Sequence, residues 1–277
     1  MSLKTYISRA LRYIIKGTPI KEITADISYL QVNNRLRGKK IIITGGGRGL
    51  GASMATKFTA EGADVLIVGR GEKKLKETAE KIGCKYLVLD VYDVSTFADF
   101  IKKADDILGG INCLVNNAGV SLHENTFFDV TPESFDTQIN TNFKGAYFLT
   151  QEFIKLLKQE NRKGNILFIS SETGDTMDFR PYGFTKAAVN SMVQGLAYLF
   201  AKDNIRINAV APGVTASEMT GFSAKGNLHY DGNLTERIYL PEEVAETACF
   251  LLSEASDCIS GQIIVCNNAK TINARWK

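Results

Sequence analysis

From about Arg37 onward, short apolar runs rich in β-branched residues alternate with longer segments whose apolar positions recur at helical spacing. No other feature restricts the fold of this chain so strongly. The pattern predicts strands at Lys40–Thr44, Asp64–Val68, Lys85–Asp90, Cys113–Asn116, Asn165–Ser170, Arg206–Ala211 and Gln262–Val265. It predicts helices at Leu50–Glu61, Glu72–Ile82, Val94–Leu108, Pro132–Gln159, Tyr182–Lys202 and Pro241–Ser253. Strands joined by helical crossovers run parallel, with right-handed connections that cover both faces of the sheet. The strands "ADVLIVG" and "GNILFIS" are nearly continuous in apolar residues, as burial on both faces requires. The expectation is one α/β domain over residues 38–270, with a Rossmann-like, doubly wound parallel sheet. Ligands in such sheets bind beyond the carboxyl ends of the strands.

Those ends carry unusual residues. The first strand runs into "TGGGRGLG", Thr44 to Gly51. The common dinucleotide spacing G-x-G-x-x-G is absent, whichever glycine starts the count. Its physical requirements are nevertheless met. A β-branched strand enters a glycine-rich turn, and the turn opens a helix with Leu50, Met54, Ala55 and Phe58 at helical spacing. The free N–H groups of that helix start can receive a phosphate. Asp90 closes the third predicted strand, "NNAG" (Asn116–Gly119) the fourth, Ser170–Ser171 the fifth and Pro212–Gly213 the sixth. Together these ends point to a single cleft.

Composition narrows the function. A net charge of +3 on 277 residues, with the charges scattered, argues against a nucleic-acid partner. No apolar run is long enough for a transmembrane span. The five cysteines have neither C-x-x-C nor zinc-like spacing, which predicts buried, reduced thiols and a cytoplasmic protein. The two histidines, His123 and His229, lack ligand partners at metal-site spacing. Residues 1–37 form a distinct extension. Up to Lys21 it holds five basic residues and no acidic one. Leu3, Ile7, Ala10, Leu11 and Ile14 form an amphipathic stripe. An organelle-targeting segment, a membrane-surface helix and an arm packed on the protein itself all remain open. Residues 271–277 read as a tail.

Downstream of Ser171 comes "YGFTK", Tyr182 to Lys186, whose i, i+4 spacing puts a phenol and an ammonium on one helix face. A free phenol titrates near 10, and a nearby cation favours its ionised form. At this point the chain resembles the short-chain dehydrogenases/reductases over about Arg37 to Ala269. That family's T-G-x-x-x-G-x-G loop matches Thr44, Gly45, Gly49 and Gly51. Its N-N-A-G matches Asn116–Gly119, its active-site serine matches Ser171, and its Y-x-x-x-K matches Tyr182 and Lys186. Its P-G loop matches Pro212–Gly213, and its relay asparagine falls at Asn142.

The resemblance implies an NAD(P)-dependent oxidoreductase that moves a hydride between nicotinamide and a carbonyl/secondary alcohol, with no metal. It implies that Tyr182 is the general acid or base and that Ser171 binds the substrate oxygen. Lys186 would lower the Tyr182 pKa and hold the nicotinamide ribose, and Asn142 would hold a relay water. Cofactor contacts are implied for Thr44, Gly45, Gly47, Arg48, Gly49, Leu50, Gly51, Arg70, Asp90, Val91, Asn117, Ala118, Gly119, Tyr182, Lys186, Pro212, Gly213, Val214 and Ser217. A homodimer or homotetramer is implied, through the helices around residues 142–159 and 182–200.

Three departures stand out. The interval from Ser171 to Tyr182 is about two residues short. Ser217 stands where a threonine is common. "CNNAK" (Cys266–Lys270) replaces a frequent D-G-G, which puts the usual subunit contact there in question.

NADP(H) is expected over NAD(H). An NAD enzyme ends the second strand in an acidic residue that binds the ribose hydroxyls. Here that strand ends in Gly69, Arg70 follows, and Arg48 lies within the glycine loop, so two guanidiniums could meet a 2′-phosphate. Two further readings of function are a specific 3-oxoacyl-acyl-carrier-protein reductase and a catalytically inactive, cofactor-sensing binding protein. The first favours a basic patch near the cleft. The second should have lost the tyrosine or lysine, and both are present. The substrate lobe falls at about 214–239, and its mixed polarity fits sugars, acyl chains and small ketones alike.

Overall fold

The computed structural model describes residues 34–224 and 228–272. The amphipathic stripe predicted near the N-terminus, and residues 273–277 of the predicted tail, lie outside the described residues. The elements are β1 (Lys40–Thr44), α1 (Gly49–Ala60), β2 (Asp64–Gly69), α2 (Glu72–Ile82), β3 (Lys85–Val88), α3 (Phe97–Leu108) and β4 (Cys113–Asn116). They continue with α4 (Pro132–Ile139), α5 (Gly145–Gln159), β5 (Gly164–Ile169), α6 (Pro181–Phe200), β6 (Ile205–Pro212), α7 (Pro241–Leu252) and β7 (Ile263–Cys266). All seven strands pair in parallel, in the order β3-β2-β1-β4-β5-β6-β7. The doubly wound single-domain fold expected from the alternation is the fold observed.

The apolar strands are apolar because both sides are covered. In β1, Ile41 and Ile43 point to one face and pack with Met54 and Phe58 of α1 and Val244 of α7. Ile42 points to the other face, among Phe97 and Phe100 of α3 and Phe153 of α5. Each such buried side chain contributes about 1.5–3 kcal/mol relative to exposure. The order of strands reverses between β1 and β4, so the loops after these two strands diverge and leave a crevice at the switch point.

Most elements start or stop within three residues of expectation, and four differences bear on the site or the core. Leu36 is fully buried in the core, so the folded body begins before the predicted boundary at Gly38. β3 stops at Val88, leaving Asp90 in the following turn, where its carboxylate accepts from the Tyr92 N–H at 3.0 Å. The long helix predicted over Pro132–Gln159 is α4 and α5 joined by a π-helical turn at Asn140–Lys144. The helix predicted to reach Lys202 ends at Phe200 and closes in a 3₁₀ turn, Ala201–Asp203. The cysteines are free, as expected. Cys113 and Cys249 are buried, but Cys258 is exposed, because it lies in the turn beyond α7.

Candidate active site

The glycine loop is shaped by close approach. Gly45 and Gly49 have φ of 65° and 51°, which a side chain disfavours. A Cβ at Gly51 would lie 2.3 Å from the Gly45 carbonyl oxygen, and one at Gly46 would lie 2.6 Å from Ile67. Gly46 was absent from the predicted set; its requirement comes from β2, which sequence spacing does not show. Arg48 is the N-cap of α1 in extended conformation, and among the described residues no side chain caps the helix. The first N–H groups of α1, at Gly49, Leu50 and Gly51, therefore face the crevice without a side-chain acceptor. These are donors suited to a pyrophosphate, and the loop fits that group.

Thr44 serves the loop from within. Its buried hydroxyl accepts from the N–H groups of Asn117 and Ala118, each at 2.9 Å, and donates to the Val115 carbonyl at 3.3 Å. Asn117 returns the link through its amide, 2.8 Å from the Thr44 carbonyl. The predicted residues at the ends of β1 and β4 are thus stitched together, and Thr44 and Asn117 spend their side chains on that seam. Ser217 is brought over the same loop, 3.7 Å from where a Cβ at Gly49 would stand.

The π-turn places Asn142. A Cβ at Gly145 would lie 2.2 Å from the Val91 carbonyl oxygen, so the helix start must be bare where it crosses the turn after β3. Asn142 is buried, and both ends of its amide are engaged. Its Oδ1 accepts from the Val120 N–H at 2.8 Å, and its Nδ2 donates to the Val120 carbonyl at 2.8 Å and to the Thr185 hydroxyl at 3.3 Å. A relay water at this residue would therefore rest on its backbone carbonyl rather than on its side chain. Val120 and Thr185 were not among the predicted residues; they enter through tertiary contact alone.

Ser171 follows β5, and Pro181 opens α6 one residue before Tyr182. Lys186, one turn on, is buried and donates from Nζ to the Ile169 carbonyl at 2.7 Å. Its Nζ lies 5.5 Å from the centroid of the Tyr182 ring. Burial pushes its ammonium down to about 8. Burial also raises the Tyr182 phenol; a hydrogen bond with Ser171 and the Arg180 charge oppose that rise. The Lys186 ammonium donates to the Ile169 carbonyl while lying over the phenol ring, and Arg180 is a further cation acting on the phenol. Arg180 forms a paired contact with Asp178, Nε to Oδ1 at 2.8 Å and Nη2 to Oδ2 at 3.0 Å.

The two arginines expected at a 2′-phosphate are both exposed. Arg48 forms an ion pair with Glu218 of the lobe at 2.5 Å. Arg70 makes no ion pair among the described residues. Pro212 ends β6, and Gly213 packs between the Tyr239 ring and Asn267. Val214 pairs through its carbonyl with the Tyr239 N–H at 2.9 Å. His123, at φ 54°, holds the lobe by a 2.7 Å contact from Nε2 to the Met219 carbonyl, so it does border the cleft.

The comparisons with known proteins agree with this architecture. A family profile described as enoyl-(acyl carrier protein) reductase matches residues 45–268. Oxidoreductase UcpA of Escherichia coli K12 is 32% identical over 255 residues, covering 86% of this chain and 96% of the relative. The 3-oxoacyl-[acyl-carrier-protein] reductase FabG of Aquifex aeolicus is 32% identical over 244 residues, covering 84% and 97%. A short-chain dehydrogenase of Burkholderia cenocepacia, solved in complex with NADP, superposes with a TM-score of 0.76 at 25% identity, covering 86% and 99%. The chain belongs to the short-chain dehydrogenase/reductase family. It is an NAD(P)-dependent oxidoreductase acting on the carbonyl/alcohol pair.

Proposed function

We propose that the chain reduces a carbonyl substrate with NADPH, using Tyr182 as the acid, Ser171 as the substrate-oxygen anchor and Lys186 and Asn142 as the proton path behind them. The observation that carries this reading is the convergence of Ser171, Tyr182 and Lys186 at the ends of β5 and α6, beside an uncapped helix start. A bound nicotinamide supplies the hydride. Tyr182, raised by burial, keeps its proton at neutral pH and so can donate it to an oxygen gaining charge. The Ser171 hydroxyl fixes that oxygen's position. Lys186, near the crevice floor at Gly119, can then reprotonate the phenolate. Arg48 and Arg70 would receive the 2′-phosphate. Arg48 would exchange Glu218 for it, which costs little because an exposed ion pair contributes about 1 kcal/mol or less.

The test is oxidation of NADPH and NADH by purified protein with a panel of ketones and β-keto esters, against Tyr182→Phe. Turnover is expected to fall by about 10²–10⁴-fold in the variant. A variant with near-normal turnover overturns the mechanism.

The similarity to FabG supports a second reading, in which the substrate is carried on an acidic acyl carrier protein. The surface near the cleft does not favour it. Residues 120–139 and 215–222 hold four exposed acidic side chains, Asp129, Glu133, Asp136 and Glu218, and no lysine or arginine. A free small-molecule substrate is the better fit. Exposed Tyr147 and Phe148 on α5, and Phe184, Tyr198 and Leu199 on α6, support assembly through these helices.

A further inference from the structure

The departure "CNNAK" at Cys266–Lys270 has a physical counterpart beside Ser171. Glu172, the next residue in the chain, is a buried carboxylate at 8% exposure. Both of its oxygens are taken by that C-terminal stretch. Asn267, itself buried, donates from Nδ2 to Oε2 at 3.1 Å, and Lys270 donates from Nζ to Oε1 at 2.7 Å. Asn267 also donates to the Thr271 hydroxyl at 3.0 Å. The turn between them is held in an unusual shape, with Asn268 and Ala269 at φ 48° and 68°. Gly213 closes the cluster. A Cβ there would lie 2.9 Å from Asn267 and 3.1 Å from Glu172 Oε2. The Gly213 N–H donates to the Cys266 carbonyl at 3.0 Å.

The loops after β5, β6 and β7 therefore meet on one carboxylate. A buried carboxylate is costly unless every oxygen is satisfied, so the serine loop can keep this position only while the C-terminal turn supplies its donors.

We propose that Glu172 and Lys270 form an ionic strap that sets the positions of Ser171 and of the P-G loop, making both positioning residues for the reaction. The inference rests on the reading of Ser171 as the substrate-oxygen anchor. Neither strap residue is placed at the substrate oxygen. Their effect passes through the backbone shared by Ser171 and Glu172.

The test uses the full chain with Lys270→Met, Lys270→Arg and Glu172→Gln, far below each variant's unfolding temperature. Lys270→Met is expected to lower kcat by about 10-fold or more, as a small misplacement of a reacting group does, with KM for the ketone nearly unchanged. Lys270→Arg should restore most of the loss. The double variant Glu172→Gln/Lys270→Met should lose no more than the worse single variant, as coupled partners do. A lowered unfolding temperature with wild-type kcat, or additive losses, overturns the strap.

Hydrogen exchange of the peptide covering residues 168–176 gives a readout independent of turnover. It should speed up in Lys270→Met, and unchanged exchange also overturns the proposal. Faster exchange in a chain that reduces no carbonyl would keep the strap and overturn instead the reading of the site.

Discussion

Lys186 illustrates how much a single residue's surroundings alter what its sequence position suggests. Spacing placed an ammonium beside a phenol, and the fold does so; but the fold also buries the ammonium and gives it a carbonyl to hold. Its pKa drops to about 8, while the unfolded chain keeps the proton up to about 10.5. Between those values the unfolded state binds more protons, so stability rises with pH there, and the full penalty of a buried charge is felt below 8. Denaturant titrations of wild type and Lys186→Met should show wild type gaining on the variant from pH 8 to 10.5. A constant difference would mean that the ammonium is not desolvated. The residues that carry the motif were legible because chemistry restricts their type and spacing. Val120, Thr185 and Glu172 were not, since each acts through a neighbour distant in sequence, and no local pattern marks it.

At the scale of elements, hydrophobic periodicity located every strand and most helices, since parallel strands covered on both sides tolerate little else. It missed the π-turn between α4 and α5 because one extra residue in a helix barely disturbs the apolar pattern around it. Gly145 was the available sign, and only the Val91 carbonyl explains it. Substituting Gly145→Ala should push the helix start off that carbonyl and displace Asn142. Nucleotide-dependent turnover should then fall while the sheet remains folded, which circular dichroism and kinetics together would test.

The loop-to-lobe pair makes a sharper prediction. NADP and NAD titrated into wild type and Arg48→Ala/Arg70→Ala should show a preference for NADP that the double variant loses. Tighter binding of NADH by wild type would remove the case for both arginines. Glu218→Gln, which frees Arg48, should strengthen NADP binding and leave NAD binding unchanged.

Over the whole molecule, Glu61 is one of the carboxylates that couple stability to acid. Glu61, at the end of α1, accepts from the backbone N–H groups of Asn34 and Arg35 at 3.3 and 3.2 Å and pairs with the Arg35 guanidinium. The Arg35 guanidinium holds its carboxyl at about 2. Its stabilisation is complete above the ordinary carboxylate range near 4.5 and is lost as pH falls toward 2. Wild type should therefore lose its advantage over Glu61→Gln across that interval in acid-unfolding experiments. Assembly is a separate question, decided by sedimentation at micromolar concentration. A dimer or tetramer is expected, and a monomer would refute assembly through the exposed aromatic faces of α5 and α6.

The strand order carries one more consequence, for the moment of synthesis. β7 lies at an edge of the sheet and is made after all the strands it joins, and Lys270 is made later still. A nascent chain can assemble β1 to β6 and both faces of the core while Glu172 waits for its donors. A polypeptide at that stage would look folded while the proposed strap is still open, and its turnover should stay slow until the segment through Lys270 has docked.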